Sequence, residues 1–185
     1  MSTNFLGIDS PAATGIACSV AETPREGRTW TGPNASERLA ILRRTRSVAI
    51  VGASNNPARA SYFVSTYLLS SSDFDVYFVN PNASEILGRP AYPSLEALPV
   101  VPDLVDVFRR HDDLPTVLAE TIAVGAKTLW LQLGSWHEQV ARDGEAAGLE
   151  VVMDRCIKIE HARFHGGLHL AGFDTGTISS RRANH

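Results

Sequence analysis

Five apolar runs, separated by helical or turn-rich stretches, set the pattern of this 185-residue chain. They are SVAIV at Ser47–Val51, DVYFV at Asp75–Val79, LVDVF at Leu104–Phe108, TLWLQL at Thr128–Leu133 and LEVVM at Leu149–Met153. Each is nearly continuous in hydrophobicity rather than alternating, as strands covered on both faces require. Between them, Tyr62–Ser70, Leu114–Val124 and His137–Ala147 repeat apolar residues at helical spacing. The last two stop at Gly125 and Gly148, each placed to take the left-handed conformation after a helix end. A shorter helix is expected from Ser36, as its N-cap, through Arg44. Strand–helix–strand units with right-handed crossovers predict an α/β fold: a doubly wound, mostly parallel five-stranded sheet with helices on both faces.

The flanks are less regular. Residues 1–35 carry little periodicity and much Gly, Pro, Ser and Thr. They are expected to form an N-terminal extension, or an arm laid on a partner surface. The domain is expected over residues 36–163, with 164–185 a C-terminal tail packed on the domain or on a partner subunit.

In a doubly wound sheet, ligands lie beyond the C-terminal strand ends, near the reversal of strand order. Gly52 follows the first strand, where a missing Cβ permits close approach and the next helix can present its amides to a phosphate. Ser54, Asn55 and Asn56 offer further donors, and Arg59 offers a bidentate contact. Pro57 fixes the turn or opens the helix. Taken alone, GASNNP reads equally well as a plain βα connection, because one glycine is not the three-glycine dinucleotide fingerprint.

The other strand ends narrow the ligand. The second closes on Asn80-Pro81, where an ordinary NAD site places an acidic residue against the ribose, and this disfavours NAD chemistry. The third and last strands lead into cations: Arg109 and Arg110, then Arg155 and Lys158. Cations on separate strand ends suit a ligand with several phosphates. Arg110, beside Asp112 and Asp113, equally fits a surface ion pair.

Catalytic signals are sparse. No G-x-S-x-G elbow or Walker Lys-Ser/Thr sequence is present. His161, His165 and His169 share helical spacing, but Gly166-Gly167 interrupts the series and it does not match H-E-x-x-H, so no metal is expected. Cys156, near Arg155 and Lys158, is read either as an activated thiol or as a half-buried structural cysteine. Trp130 is expected in the core, and Trp136 either lines the crevice or caps the following helix. Gly134, Trp136, Arg155, Cys156 and Lys158 form a second rank of site candidates.

Composition adds bounds. With 44% hydrophobic and 20% charged residues and a formal charge of −3, the chain is an ordinary globular sequence. That balance argues against electrostatic recruitment to nucleic acid or to an anionic membrane. No apolar run reaches the roughly 18 residues of a membrane span, and the first thirty residues lack the pattern of a signal peptide, so a cytoplasmic location is expected. Two distant cysteines, Cys18 and Cys156, are expected to be reduced thiols.

The pieces VGASNNPARASYFVSTYL, VNPNASEILGRPAYPSLEALP, VDVFRR, GAKTLWLQLG and AGLEVVMDRCIKIEHAR occur in order from about Glu37 to Arg163. In these motifs the chain resembles the small single-domain CoA-binding proteins, whose fold is like the CoA-binding domain of the succinyl-CoA synthetase alpha chain. The resemblance implies a Rossmann-like domain that binds coenzyme A. It sets Gly52, Ala53, Ser54, Asn55 and Asn56, with Pro57 and Arg59, against the phosphates. It adds Asn80, Pro81, Phe108, Arg109 and Arg110 to the nucleotide crevice.

The leading expectation is a non-catalytic module for coenzyme A or an acyl-CoA, with no nucleic-acid or membrane partner. An oxidoreductase or thiol-dependent enzyme using a dinucleotide or CoA forms a second class. An interaction protein with an unoccupied crevice forms a third. An added N-terminal arm on a small protein is compatible with a homodimer.

Overall fold

The computed structural model describes residues 27–165. Cys18, His169 and residues 166–185 therefore lie outside the described part. The strands are β1 (Ser47–Val51), β2 (Asp75–Val79), β3 (Glu85–Ile86), β4 (Arg89–Tyr92), β5 (Leu104–Val107), β6 (Thr128–Leu131) and β7 (Glu150–Val152). They form one seven-stranded sheet in the order β3-β4-β2-β1-β5-β6-β7. All five apolar runs become strands, but the expected five-stranded sheet is corrected to a mixed seven-stranded one. Every neighbouring pair is parallel except β3–β4, an antiparallel hairpin at one edge.

The hairpin leaves little trace in hydrophobicity. β3 is two residues long, and β4 contains Pro90, which precedes the two residues that pair with β2. A proline is tolerated there because no ladder hydrogen bond to β2 is required of it. The turn between them, Leu87-Gly88, has φ of 50° and 73°. Two consecutive positive values match the mirror-image turns that suit the twist of paired strands.

The helices are α1 (Ala35–Arg44), α2 (Ala60–Ser71), α3 (Leu114–Ala123), α4 (Glu138–Ala146) and α5 (Ile157–His165), with one 3₁₀ turn at His111–Asp113 before α3. The N-cap of α1 is Asn34 rather than the expected Ser36. Asn34 Oδ1 accepts from the Ser36 and Glu37 amides, and Glu37 Oε2 accepts from the Asn34 amide at 2.6 Å, a reciprocal capping box. Gly125 and Gly148 do take positive φ, at 77° and 88°.

Alternate strand residues feed two cores. Ala49, Val51, Val105, Val107, Leu129 and Leu131 pack with Val117 and Leu118 of α3 and Val140 of α4. Val48, Ile50, Leu104, Trp130 and Val152 pack with Leu42 of α1, Val64 and Leu68 of α2 and Ile157 of α5. Each such buried aliphatic contributes roughly 1.5–3 kcal/mol relative to exposure. This two-sided burial explains the continuous apolar runs and gives the Rossmann-like α/β layering.

The chain before α1 joins the packing. Trp30 is buried in the α3/α4 core, and its Nε1 donates to Glu145 Oε1 at 3.0 Å. On the other face, buried Arg38 and Glu160 pair at 2.9 Å and tie α1 to α5. Among the described residues, no helix is long and apolar enough to cross a membrane.

Candidate functional site

The sheet order leaves β1 between β2 and β5, with the chain winding outward in both directions. A cleft of about 540 Å³ opens there, at the C-terminal ends of these strands. This is where the topology of an open α/β sheet leaves room for a ligand. Its lining runs from the loop after β1 through the first turns of α2 to the ends of β2, β5 and β6 and the β7–α5 connection.

Gly52 is fixed by the strand ends themselves. Its amide donates to the Val79 carbonyl at 2.9 Å, while the Phe108 amide donates to Val51 at 2.8 Å. Gly52 has φ of +85°, and a Cβ there would overlap the Phe108 carbonyl oxygen and lie 3.0 Å from its carbon. Convergence of β1, β2 and β5 thus demands glycine before any ligand is considered.

The following loop spends most of its polar groups internally. Asn55 Nδ2 donates to the Glu85 carbonyl (3.0 Å), and its Oδ1 accepts from the Leu87 amide (2.8 Å), fastening the edge hairpin. Asn56 Oδ1 accepts from the Ala58 amide (2.9 Å), and Ser54 Oγ accepts from the Asn56 amide (3.1 Å). Asn55, Asn56 and Pro57 are exposed and do not line the cleft; Gly52, Ala53, Ser54 and Arg59 do.

Arg59 occupies the N-cap of α2 without a side-chain capping bond, and Ala60 and Ser61, the first two residues of the helix, line the cleft. Apart from the Tyr62 amide, which donates to the Arg59 carbonyl at 3.1 Å, the amides of this uncapped first turn have no intrahelical partner and favour an anion. Asn80, just past β2, donates from Nδ2 to the Ala53 carbonyl at 2.8 Å and accepts from the Asn82 amide through Oδ1. Asn80 and Asn82 both line the cleft.

Beyond β5, Phe108 and Arg109 line the cleft. Arg110 and Pro81 instead border an adjoining hollow of about 330 Å³, which Arg109 also borders. Arg110 is highly exposed and pairs with Asp113 at 3.5 Å. Of the second-rank candidates, Cys156 lines the cleft as a half-buried free thiol.

The other four are engaged elsewhere. The Gly134 amide donates to Asp154 Oδ1 at 2.7 Å. Trp136 lies under the Arg28 guanidinium at 3.7 Å and packs edge-on against Trp30. The Arg155 carbonyl accepts from Trp130 Nε1 at 2.7 Å, and Lys158 faces the Tyr67 ring. His161, the described member of the histidine series whose side chain is placed, bonds Tyr67 Oη through Nδ1 at 3.0 Å.

Arg59 and Arg109 are the two charged residues of the lining, and neither has an ion-pair partner among the described residues. The cleft is therefore locally cationic in a chain of net charge −3. Sequence reasoning missed Ala60, Ser61, Val64, Asn82, Val107, Gln132, Leu133 and Ser135 as lining residues. A signal existed for Ser61, because it falls in the first turn of a helix pointing at the crevice. Gln132 carried one as well: it interrupts the apolar run TLWLQL near its C-terminal end.

Comparison with known proteins is consistent with this geometry. Residues 46–162 match the family described as CoA binding domain. The uncharacterized protein YneT of Bacillus subtilis is 36% identical over 130 residues, covering 70% of this chain and 96% of the relative. A solved hypothetical protein from Pyrococcus horikoshii is 35% identical, with a TM-score of 0.67 over 75% of this chain and all of the other. A dinucleotide-forming acetyl-coenzyme A synthetase of Ca. Korarchaeum cryptofilum is 24% identical, with a TM-score of 0.52 over 57% of this chain and 25% of the other, a likeness of fold alone. These findings support the family at that level; the distant synthetase they show is an acetyl-CoA synthetase rather than the succinyl-CoA synthetase alpha chain.

Proposed function

We propose that this chain, which belongs to the CoA binding domain family, binds coenzyme A or an acyl-CoA in its β1–β5 cleft as a non-catalytic module. The observation that carries this reading is the convergence of Arg59, Arg109 and the uncapped first turn of α2 on one cleft without an acidic lining residue. Coenzyme A carries a diphosphate and a ribose 3′-phosphate, and such an anion matches guanidinium forks and free helix amides. The volume lies within the usual range of ligand pockets, about 300–1,000 Å³.

On this reading Gly52, Ala53 and Ser54 run along the phosphates while Arg59 and Arg109 neutralise them. Asn55, Asn56 and Pro57 act by holding the loop in shape. Neutral Asn80, with its amide committed to Ala53, keeps an anion-repelling carboxylate away from the end of β2. Phe108 supplies apolar surface, and Pro81 and Arg110 act from the adjoining hollow. The module is read as cytoplasmic, with a small-molecule ligand and no nucleic-acid partner.

Isothermal titration of the full chain with CoA, dephospho-CoA, acetyl-CoA, NAD and NADP tests the reading. CoA and acetyl-CoA are expected to bind and NAD is not. Binding of NAD without measurable binding of CoA overturns it.

A further inference from the structure

Behind the wall of the cleft lies a carboxyl group that the fold leaves half satisfied. Asp106 is the third residue of β5, in register between Ile50 of β1 and Trp130 of β6, and is fully buried. Strand alternation puts it on the face where Ile50, Leu104 and Trp130 pack under α2 and α5. One oxygen, Oδ1, accepts from Gln132 Nε2, and the Val107 amide also bonds the carboxyl. Oδ2 has no partner, and neither has Ser65 Oγ on the buried side of α2. Val107 and Gln132, which bond the carboxyl, both line the cleft, as do Ser61 and Val64 beside Ser65.

A carboxyl in this position opposes the folding of a strand whose other members are Leu and Val, because burying it costs more than one or two hydrogen bonds return. Its visible effect is on Gln132. An ionised carboxyl accepts hydrogen bonds and donates none, so Gln132 must turn its amide nitrogen inward. That leaves the carbonyl oxygen of Gln132 as the acceptor for a ligand in the cleft.

Resting on the reading of the cleft as a CoA site, we propose that Asp106 is a positioning residue that makes Gln132 a hydrogen-bond acceptor, selecting an uncharged N–H- or O–H-bearing segment of the ligand at the β6 end. A phosphate at that end would meet a carbonyl oxygen backed by a buried carboxylate. It is directed instead to Arg59 and Arg109. The pantetheine arm of CoA carries such donors in two secondary amides and a hydroxyl, and an arm seated with an N–H or O–H toward Gln132 loses that bond if the Gln132 amide reverses.

The charge of Asp106 sets the polarity of this wall. Burial lifts its pKa from 3.8 to about 7, against the lowering effect of the Gln132 and Val107 bonds. Once protonated, the carboxyl can donate to Gln132, whose amide can then reverse and present N–H to the ligand. Among the described side chains, the other titratable or charged groups on elements packed against this face are Glu37 and Arg43 of α1, the Arg44–Glu150 pair, Arg155, Cys156 and Lys158, the Arg38–Glu160–Arg163 cluster, the Tyr67–His161 pair and Tyr62. β1 contributes none to this face.

The test compares CoA with adenosine 3′,5′-bisphosphate, which keeps an anionic end and lacks the pantetheine arm, by titration from pH 5.5 to 8.5. The readout is the ratio of the two affinities compared between the wild type and each variant, because titration of the ligands' own phosphates, including the 5′-monophosphate that only the bisphosphate carries, is the same for every chain. Divided by the same ratio in Gln132→Leu, the wild-type ratio is expected to rise about tenfold across the range. Asp106→Asn should flatten this rise, and Gln132→Leu should lower the ratio itself about tenfold at pH 8 with the bisphosphate unaffected. Gln132 is half-buried at the cleft wall, so its variant keeps the test available if Asp106→Asn fails to fold. A wild-type ratio with the same pH dependence as that of Gln132→Leu, or one unchanged by Gln132→Leu at pH 8, overturns the proposal while leaving CoA binding intact. Failure of CoA to bind the wild type at any pH overturns the functional reading and this proposal together.

Discussion

Asn80 Nδ2 donates to the carbonyl oxygen of Ala53 across 2.8 Å, so the residue after β2 holds the loop that follows β1. The same side chain accepts from the Asn82 amide and thereby shapes its own turn. Asn80→Ala removes both bonds and is expected to cost about 1–2 kcal/mol of stability in urea unfolding. Asn80→Asp keeps the acceptor, loses the donor and adds an anion to the lining. Its CoA affinity should fall below that of Asn80→Ala, and equal affinities would remove electrostatic repulsion from the account of this strand end.

Gly52→Ala combines a left-handed backbone with a collision against the Phe108 carbonyl. The expected loss is roughly 2–4 kcal/mol, from strain and overpacking together. Thermal unfolding measured without ligand should show it in full. A loss seen only in ligand affinity would mean that the glycine serves the ligand rather than the junction of β1 and β5.

Arg59→Ala and Arg109→Ala each remove an exposed guanidinium that has no ion-pair partner among the described residues. Stability should stay within about 0.5 kcal/mol of wild type. CoA binding should weaken by roughly tenfold to a hundredfold per arginine in titration. If one variant loses affinity for CoA but not for dephospho-CoA, that arginine meets the ribose phosphate. Undiminished affinity for both ligands would take the residue out of the site.

Glu138 gives a pH-dependent readout at a distance from the cleft. The Thr29 hydroxyl and amide donate to its carboxylate at 2.5 and 2.7 Å, and these bonds hold its pKa down at about 2. A depressed carboxylate contributes stability that is complete above its unfolded pKa, near 4.5, and is lost as pH falls through about 2. The attachment of Thr29 and Trp30 to α4 should therefore loosen between these values. Fluorescence of Trp30 and Trp136, which pack edge-on, should report the change. Glu138→Gln should abolish that transition, and a transition of the same size in the variant would assign it to another carboxylate.

The five principal strands were legible because burial on both faces forces uninterrupted apolar runs, and a run such as SVAIV has few other uses. The edge hairpin was not, since EI and RPAY have neither length nor alternation. Their pairing depends on Asn55 reaching across thirty residues to Glu85, a contact with no local signature. The cleft was legible at the level of loops and charges: Gly52, Arg59, Asn80 and Arg109 do meet there. Which donors face inward was not. Asn55 and Asn56 carry the same amide as Asn80, and only tertiary geometry decides that theirs close turns outside the cleft. Asp106 left a readable trace, one charge inside LVDVF, whose significance depended on learning that both faces of β5 are covered.

Arg28 bonds Asp154, and Asp154, itself at φ of 56°, bonds the Gly134 turn, while Trp30 fills the core beside α4. Arg28 and Trp30 both precede residue 46, where the match to the family begins. The family match and the packed unit therefore have different boundaries in this chain. A fragment begun at residue 46 would open a hole where an indole had been and strip Glu160 of Arg38, leaving it Arg163 alone among the described ion-pair partners. Losing one partner of a buried ion pair can cost about 3–5 kcal/mol. The family match thus starts inside the packed unit, and the residues ahead of it carry part of its cohesion.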